Sequence, residues 1–377
     1  MRRKVLFAIN SLAGGGAERV MATLLGGSEA RARDYDCAIA LLDRDEEAYA
    51  LPDWIRVHRL DCKHGFAASI AGLTGVVRRE KPDVALSFLT RANVATAAAM
   101  TLRRRPFILS ERVNTTAHLG EGRAATASKA MVRLAYPRAT RIIAVSQGVG
   151  DTLVEDFGVR ADRVVAIANP IDTDRIEALA AEPANDHSAV PFVVAMGRLV
   201  TNKNFPLAIR AFAASGLAGN LVILGQGPDH AALRALGDSL GLGARLVLPG
   251  FAENPYAIVG KAQFLVLSSN AEGFPNALVE ALAAGVPVVA TDCRSGPSEV
   301  LDVSLAPGNV VPGQGRGGLL VPVDDLAAMT EAFRMMADPA RRTALAAAGR
   351  ARVRDFSVAH AVERYWAVID DALATRR

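Results

Sequence analysis

Cysteine is scarce in this 377-residue chain: Cys37, Cys62 and Cys293 are scattered without metal-ligand or redox spacing. That argues against a disulfide framework and for a reducing compartment. Long apolar runs are missing too. Nothing approaches the roughly 18 apolar residues of a membrane span, and the nearest stretch, Val94 to Leu102, is too short. Met1-Arg2-Arg3-Lys4 precedes only Val5–Ile9 before Asn10, less than the apolar core of a signal peptide, so a first buried strand is the better reading. A soluble or peripheral, cytoplasmic protein is expected. Aromatic residues make up 5% of the chain, which with abundant Ala and Gly suggests tightly packed α/β layers. Hydrophobic content of 51% permits large cores, and 377 residues suffice for two domains.

Apolar strand-like runs alternate with helical patterns from end to end, from Val5–Ile9 through Val84–Leu89, Phe192–Met196, Phe264–Ser268 and Val286–Ala290 to Leu319–Val321. Segments such as Ala17–Leu25, Ser69–Arg79, Leu207–Ala214 and Ala231–Leu240 read as crossover helices. Such alternation implies doubly wound parallel sheets, here two Rossmann-like domains meeting at a cleft. The polar stretch 180–188 lacks apolar periodicity and reads as the linker. From Pro339 onward the tail is helical in pattern, with Val362, Tyr365, Trp366, Ile369 and Leu373 on one face.

The most informative stretch runs from Ser269 to Ala290. A helix follows the loop after Phe264–Ser268: Pro275 suits a first helical position, Leu278, Val279 and Leu282 share a face, and Gly285 suits the C-terminal cap. Glu272 in the loop and Glu280 in the helix are eight residues apart, very roughly 6–12 Å in space at about 1.5 Å per helical residue. That spacing suits two parts of one extended ligand. The backbone N–H groups of Asn276 and Ala277 would point out of the helix N-terminus toward oxygen-rich groups.

Further upstream, Phe192–Met196 ends in Gly197-Arg198-Leu199-Val200-Thr201-Asn202-Lys203. Arg and Lys five residues apart at a strand end suit a diphosphate, the first as a bidentate fork and the second as a point charge. Gly14-Gly15-Gly16 after the first strand lacks the Gly-x-Gly-x-x-Gly spacing of dinucleotide sites, although Asp43 after strand two would tempt a NAD reading. Three Asp-x-Asp triplets, at 34–36, 43–45 and 172–174, could hold a metal; solvated turns are expected instead, the first lying before its strand.

The pattern Glu272-Gly-Phe-Pro-Asn-Ala-Leu-Val-Glu280, with Gly197-Arg198 and Lys203 upstream, resembles the donor-binding signature of the retaining GT-B glycosyltransferases of family 4. The resemblance implies the GT-B fold: residues 1–180 as an acceptor-binding domain, 189–360 as a nucleotide-sugar domain, and 361–377 as a helix crossing back to the first. It assigns Glu272 to donor-sugar hydroxyls, Glu280 to the ribose, and Arg198 with Lys203 to the departing diphosphate. Gly15 and Gly16 fall on the donor phosphate and acceptor side, and Phe251 in the segment that packs on the base. Phe274, Pro275, Asn276 and Ala277 complete the donor loop. His118 looks like the active-site histidine that contacts the transferred sugar; Arg91, Arg112 and Asn114 are its acceptor-side companions.

The function so implied is retaining transfer of a hexosyl or N-acetylhexosaminyl unit from a nucleotide diphosphate sugar, UDP ahead of GDP. The acceptor would be a glycan, lipid-linked, in polysaccharide or lipopolysaccharide assembly. No well-placed carboxylate nucleophile is seen, so front-face substitution without a metal or cofactor is expected. A nucleotide-sugar 2-epimerase or hydrolase, and a non-catalytic binding module, are the alternatives; a NAD dehydrogenase is remote. Between Val76 and Arg141, 13 Lys or Arg face four acidic residues, a local net charge of +9 in a chain of +4. Without aromatic interleaving or a nucleic-acid motif, that points to an anionic membrane surface rather than nucleic acid.

Overall fold

The computed structural model describes residues 2–113, 123–183, 190–306 and 311–375. The expected site residues Asn114 and His118 lie outside them, as does most of the expected linker. The chain divides into two compact units, one of residues 1–170 with 358–377 and the other of residues 171–357.

In the first unit, β1 (Arg3–Ile9) is central because Val5–Ile9 is apolar on both faces and needs cover on both. It pairs in parallel with β2 (Tyr35–Leu41) on one side and β4 (Val84–Phe88) on the other. With β3 (Arg56–Arg59), β5 (Phe107–Glu111), β6 (Arg141–Ala144) and β7 (Val164–Ala166), the order is β3-β2-β1-β4-β5-β6-β7. Every pairing in this sheet is parallel. Helices Phe66–Glu80 and Thr90–Leu102 help cover one face and Gly16–Gly26 the other.

The second unit repeats the plan. Its strands are β8 (Phe192–Met196), β9 (Asn220–Leu224), β10 (Leu246–Gly250), β11 (Leu265–Leu267), β12 (Val288–Thr291), β13 (Gly313–Gly315) and β14 (Gly318–Val321), in the order β10-β9-β8-β11-β12-β14-β13. Only the edge pair β13–β14 is antiparallel among the described strands. In both sheets the order reverses beside the first strand, at β1/β4 and at β8/β11, and ligands of doubly wound sheets bind outside the carboxyl ends there.

Two boundaries differ from the sequence reading. Helix Thr173–Ala180 belongs to the second unit rather than ending the first. Asn254 holds it there, donating from Nδ2 to the Leu179 carbonyl (2.9 Å) and to Glu182 (2.8 Å). The tail is two helices, Pro339–Val353 in the second unit and Val358–Ala374 in the first, parted by a short turn at Arg354–Phe356. Tyr365, Trp366 and Ile369 of the last helix are fully buried in the first unit's core, and the Trp366 indole donates to Ser28 Oγ.

Candidate active site

The strongest cluster lies at the β8/β11 switch point of the second unit. After β8 the chain passes through Gly197, Arg198 and a single turn at Thr201–Lys203; after β11 it passes through Ser268 to Glu272. Polar side chains fasten these two loops together. Asn202 donates to the Ala271 carbonyl (2.8 Å), Ser268 Oγ to the Lys203 carbonyl (2.9 Å), and Asn204 Nδ2 to Asn270 Oδ1 (2.9 Å) and Asp324 Oδ1 (3.1 Å). The loop after β9 lies so close that a Cβ at Gly225, whose φ is +133°, would stand 1.9 Å from the Gly197 carbonyl oxygen.

Inside this bracket Lys203 Nζ meets Glu272 Oε1 at 2.5 Å, and Ser269 Oγ donates to the same oxygen at 2.7 Å. Ser295 Oγ fixes the Glu272 carbonyl (2.5 Å). Glu272 Oε2 accepts no hydrogen bond among the described residues, and a lysine ammonium has three protons, so each partner keeps capacity for a ligand. Arg198 is exposed and has no acidic partner among the described residues. The resulting site carries two cations and a carboxylate with a free edge. Nearby Cys293 is not a nucleophile: burial, with the Glu272 charge second, pushes its thiol up to about 12.

Helix Asn276–Ala283 begins one residue later than expected, with Pro275 outside it at the cap, and Glu280 is buried in its body. The Asn276 N–H is not free, because it bonds back to the Phe274 carbonyl (3.0 Å) and closes the turn before the helix. Ala277 remains in the first turn without an intrahelical acceptor. Gly285 ends the helix in a Schellman arrangement, its own N–H on Leu282 and that of Val286 on Ala281. Phe274 turns inward onto Phe356, their ring centroids 5.8 Å apart, so it supports the loop. Gly296 must be glycine to let Pro275 approach: a Cβ there, at φ +101°, would meet Pro275 Cδ at 2.5 Å. Phe251, just past β10, is 73% exposed and free to stack.

In the first unit the expected site residues fare differently. Gly15 caps, and Gly16 begins, helix Gly16–Gly26 at the carboxyl end of β1, and both are exposed. Arg91 and Arg112, expected on the acceptor side, are spent on the protein itself. The Arg91 guanidinium grips both oxygens of buried Asp43 and donates to Ser69 Oγ (2.9 Å). Arg112 is buried over the Phe88 ring, donating to the Tyr365 hydroxyl and Asn169 Oδ1. Its neighbour Glu111 is fully buried and accepts from the Tyr136 hydroxyl; burial raises its carboxyl above the usual range against that hydrogen bond.

The Asp-x-Asp triplets are solvated as expected only at Asp34, Asp172 and Asp174, which are exposed. Tyr35 and Asp36 lie inside β2, where Asp36 pairs with Arg56 (2.7 Å), and Asp172 caps helix Thr173–Ala180 through the Arg175 N–H. Asp43 loses acidity to burial but regains more from Arg91 and the His64 N–H, which hold its carboxyl below the usual range. Asp43, Asp45 and His64 do bring ligand atoms within 4.8 Å of one another. A cation there would have to displace the Arg91 guanidinium.

Sequence reasoning missed Asn204, Ser269 and Ser295. The signal for the first is a polar residue held at φ +44° at the start of helix Phe205–Ser215; for the second, an abrupt switch from apolar strand to Ser-Ser-Asn.

Two seven-stranded doubly wound sheets, with a charged bracket at the second switch point, define a two-unit α/β protein with a ligand-site candidate outside the strand ends. The family model "Glycosyl transferases group 1" matches residues 181–352, and "Glycosyltransferase Family 4" matches residues 14–175. A Campylobacter jejuni N-acetylgalactosamine-N,N'-diacetylbacillosaminyl-diphospho-undecaprenol 4-alpha-N-acetylgalactosaminyltransferase is 30% identical over 367 residues, 94% of this chain and 96% of that one. Among solved structures, Anabaena HepE in complex with UDP superposes with TM-score 0.76 at 20% identity, over 98% of this chain and 100% of that one. The apo lipopolysaccharide outer core galactosyltransferase WaaB gives 0.75 at 17% identity, over 98% and 99%. The chain belongs to the group 1 glycosyltransferases and has their GT-B fold. None of its described helices is long and apolar enough to cross a membrane.

Proposed function

We propose that this glycosyltransferase moves a hexosyl or N-acetylhexosaminyl unit from a UDP-sugar to a lipid-linked glycan acceptor at an anionic bilayer, with retention and without a metal. The observation that carries the reading is the Lys203–Glu272 contact at the β8/β11 switch point, beside exposed Arg198. Arg198 and Lys203 neutralise the diphosphate as the glycosidic bond breaks, the charge-stabilising role that a metal plays elsewhere. Glu272 accepts from donor-sugar hydroxyls through Oε2, and Glu280 from the ribose. The leaving phosphate takes the acceptor proton on the face where it departs, which gives retention.

The relatives support the choice of substrates: the Campylobacter protein's name specifies a diphospho-undecaprenol acceptor, and HepE was solved with UDP. The test is product analysis with UDP-N-acetylhexosamines and a polyprenyl-diphosphate glycan. An α-linked product from an α-linked donor is expected. An inverted linkage would sink the mechanism, and a free epimerised sugar nucleotide formed without acceptor would favour the epimerase.

A further inference from the structure

The basic residues of 76–141 do not form one face. With Arg112 buried and Arg91 held by Asp43, part of the remaining positive charge gathers at the amino-terminal end of β5 and β6, opposite the strand ends that carry Gly15 and Gly16. There Arg104, Arg105, Arg138, Arg141 and Arg163 line a cavity of about 550 Å³ with Thr375 of the last helix. Among the described residues, no acidic one lines it. Arg105 pairs with Asp83 (3.3 Å) and Arg141 with Asp371 (2.7 Å), which leaves +3. Arg163 is braced on the Pro137 and Ala139 carbonyls (2.9 and 3.2 Å) and Arg138 on that of Leu134. Arg104 is exposed, with no acidic partner among the described residues.

A second feature is independent of charge. Leu102 and Leu134 are 73% and 63% exposed, and they are the first unit's only large hydrophobics so exposed among the described residues. Leu102 lies two residues before Arg104, and Leu134 is the residue whose carbonyl Arg138 holds. Leu102 is the last residue, and Leu134 the last but one, of helices Thr90–Leu102 and Arg123–Ala135, which return to this end of the sheet. Exposed leucines beside arginines suit a headgroup boundary, where apolar side chains enter and guanidinium groups bind phosphate.

From this arrangement we propose that the arginine cavity takes the phosphate headgroup of an anionic lipid while Leu102 and Leu134 enter the bilayer interface. This rests on the reading that the enzyme works at a bilayer, and it names a surface of the first unit that would bind one. Each basic residue near an anionic bilayer is worth roughly fivefold in partitioning. Arg104→Gln with Arg138→Gln is therefore expected to lower binding of the full chain to phosphatidylglycerol-containing vesicles about 20-fold. Arg78→Gln with Arg79→Gln, an equal charge change on the exposed end of helix Phe66–Glu80, should lower it less than threefold. Leu102→Ser with Leu134→Ser should abolish the binding that survives high salt. An equal loss in both arginine pairs would overturn the proposal in favour of diffuse attraction. So would pyrophosphate binding at the cavity, seen by calorimetry, with no vesicle binding. UDP binding should be unchanged in all three double variants. Failure of the vesicle result with UDP binding and transfer intact would remove this surface and leave the transferase reading standing.

Discussion

Replacing Glu272 by Gln tests the centre of the proposed mechanism, because the carboxylate and Lys203 restrain each other before any donor arrives. Their side chains are 10% and 23% exposed, between the regimes of surface and buried ion pairs. Surface pairs contribute under about 1 kcal/mol, and breaking buried ones costs about 3–5; a pairing of about 1–2 kcal/mol is the consistent middle. Glutamine keeps the shape, and its amide oxygen can still accept from Ser269, but Lys203 is released. A freed ammonium should bind the diphosphate at least as well, so UDP affinity is expected to hold or rise, by up to about tenfold at 1.4 kcal/mol per decade. The sugar hydroxyls lose an anionic acceptor worth about 1.5–3 kcal/mol, so turnover should fall roughly 10- to 150-fold. Titration calorimetry with UDP and initial rates at saturating donor separate the two quantities. Glu280→Gln supplies the contrast, with weaker UDP binding and a smaller change in turnover. If UDP affinity fell with Glu272→Gln as steeply as turnover does, the assignment of Glu272 to the sugar would be wrong.

Arg198→Ala should lower turnover by roughly 10²–10³ with little change in melting temperature, since an exposed cation supports no core; near-normal rates would remove Arg198 from the diphosphate. Activity should survive EDTA, and loss on chelation restored by Mn²⁺ would bring Asp43, Asp45 and His64 back into play. Arg112→Ala removes the buried donor to the Tyr365 hydroxyl and Asn169 Oδ1 and should cost about 2–4 kcal/mol of stability, read by denaturant unfolding. A variant of unchanged stability with altered acceptor kinetics would restore Arg112 to the acceptor side.

The doubly wound folds were legible because buried parallel strands are continuous apolar runs: Val5–Ile9 and Phe192–Met196 can hardly be anything else. The gathering of Arg198, Lys203 and Glu272 at one switch point was legible because each stands just past such a run. What the sequence did not reveal were distant partners. Arg91 and Arg112 sit at strand or helix ends as Arg198 does, but they bond to Asp43 and Tyr365, 48 and 253 positions away. Nothing local in the sequence encodes those pairings. The Asn276 N–H failed for the opposite reason, since a turn only two residues long captures it before the helix starts.

The passage of the last helix into the first unit also sets an order of assembly. Phe7 and Tyr35 leave the ribosome before the second unit does, yet the Trp366 ring that packs against them, with centroids 6.3 and 4.7 Å away, follows that unit. The second unit is one unbroken segment and can close as it emerges, whereas the first must wait with its apolar surface open. Until then the nascent chain carries a finished domain inside an unfinished one. A stop codon after Ser357 would therefore remove part of the first unit's interior, leaving the surface of Phe7 and Tyr35 for chaperones or aggregation to find.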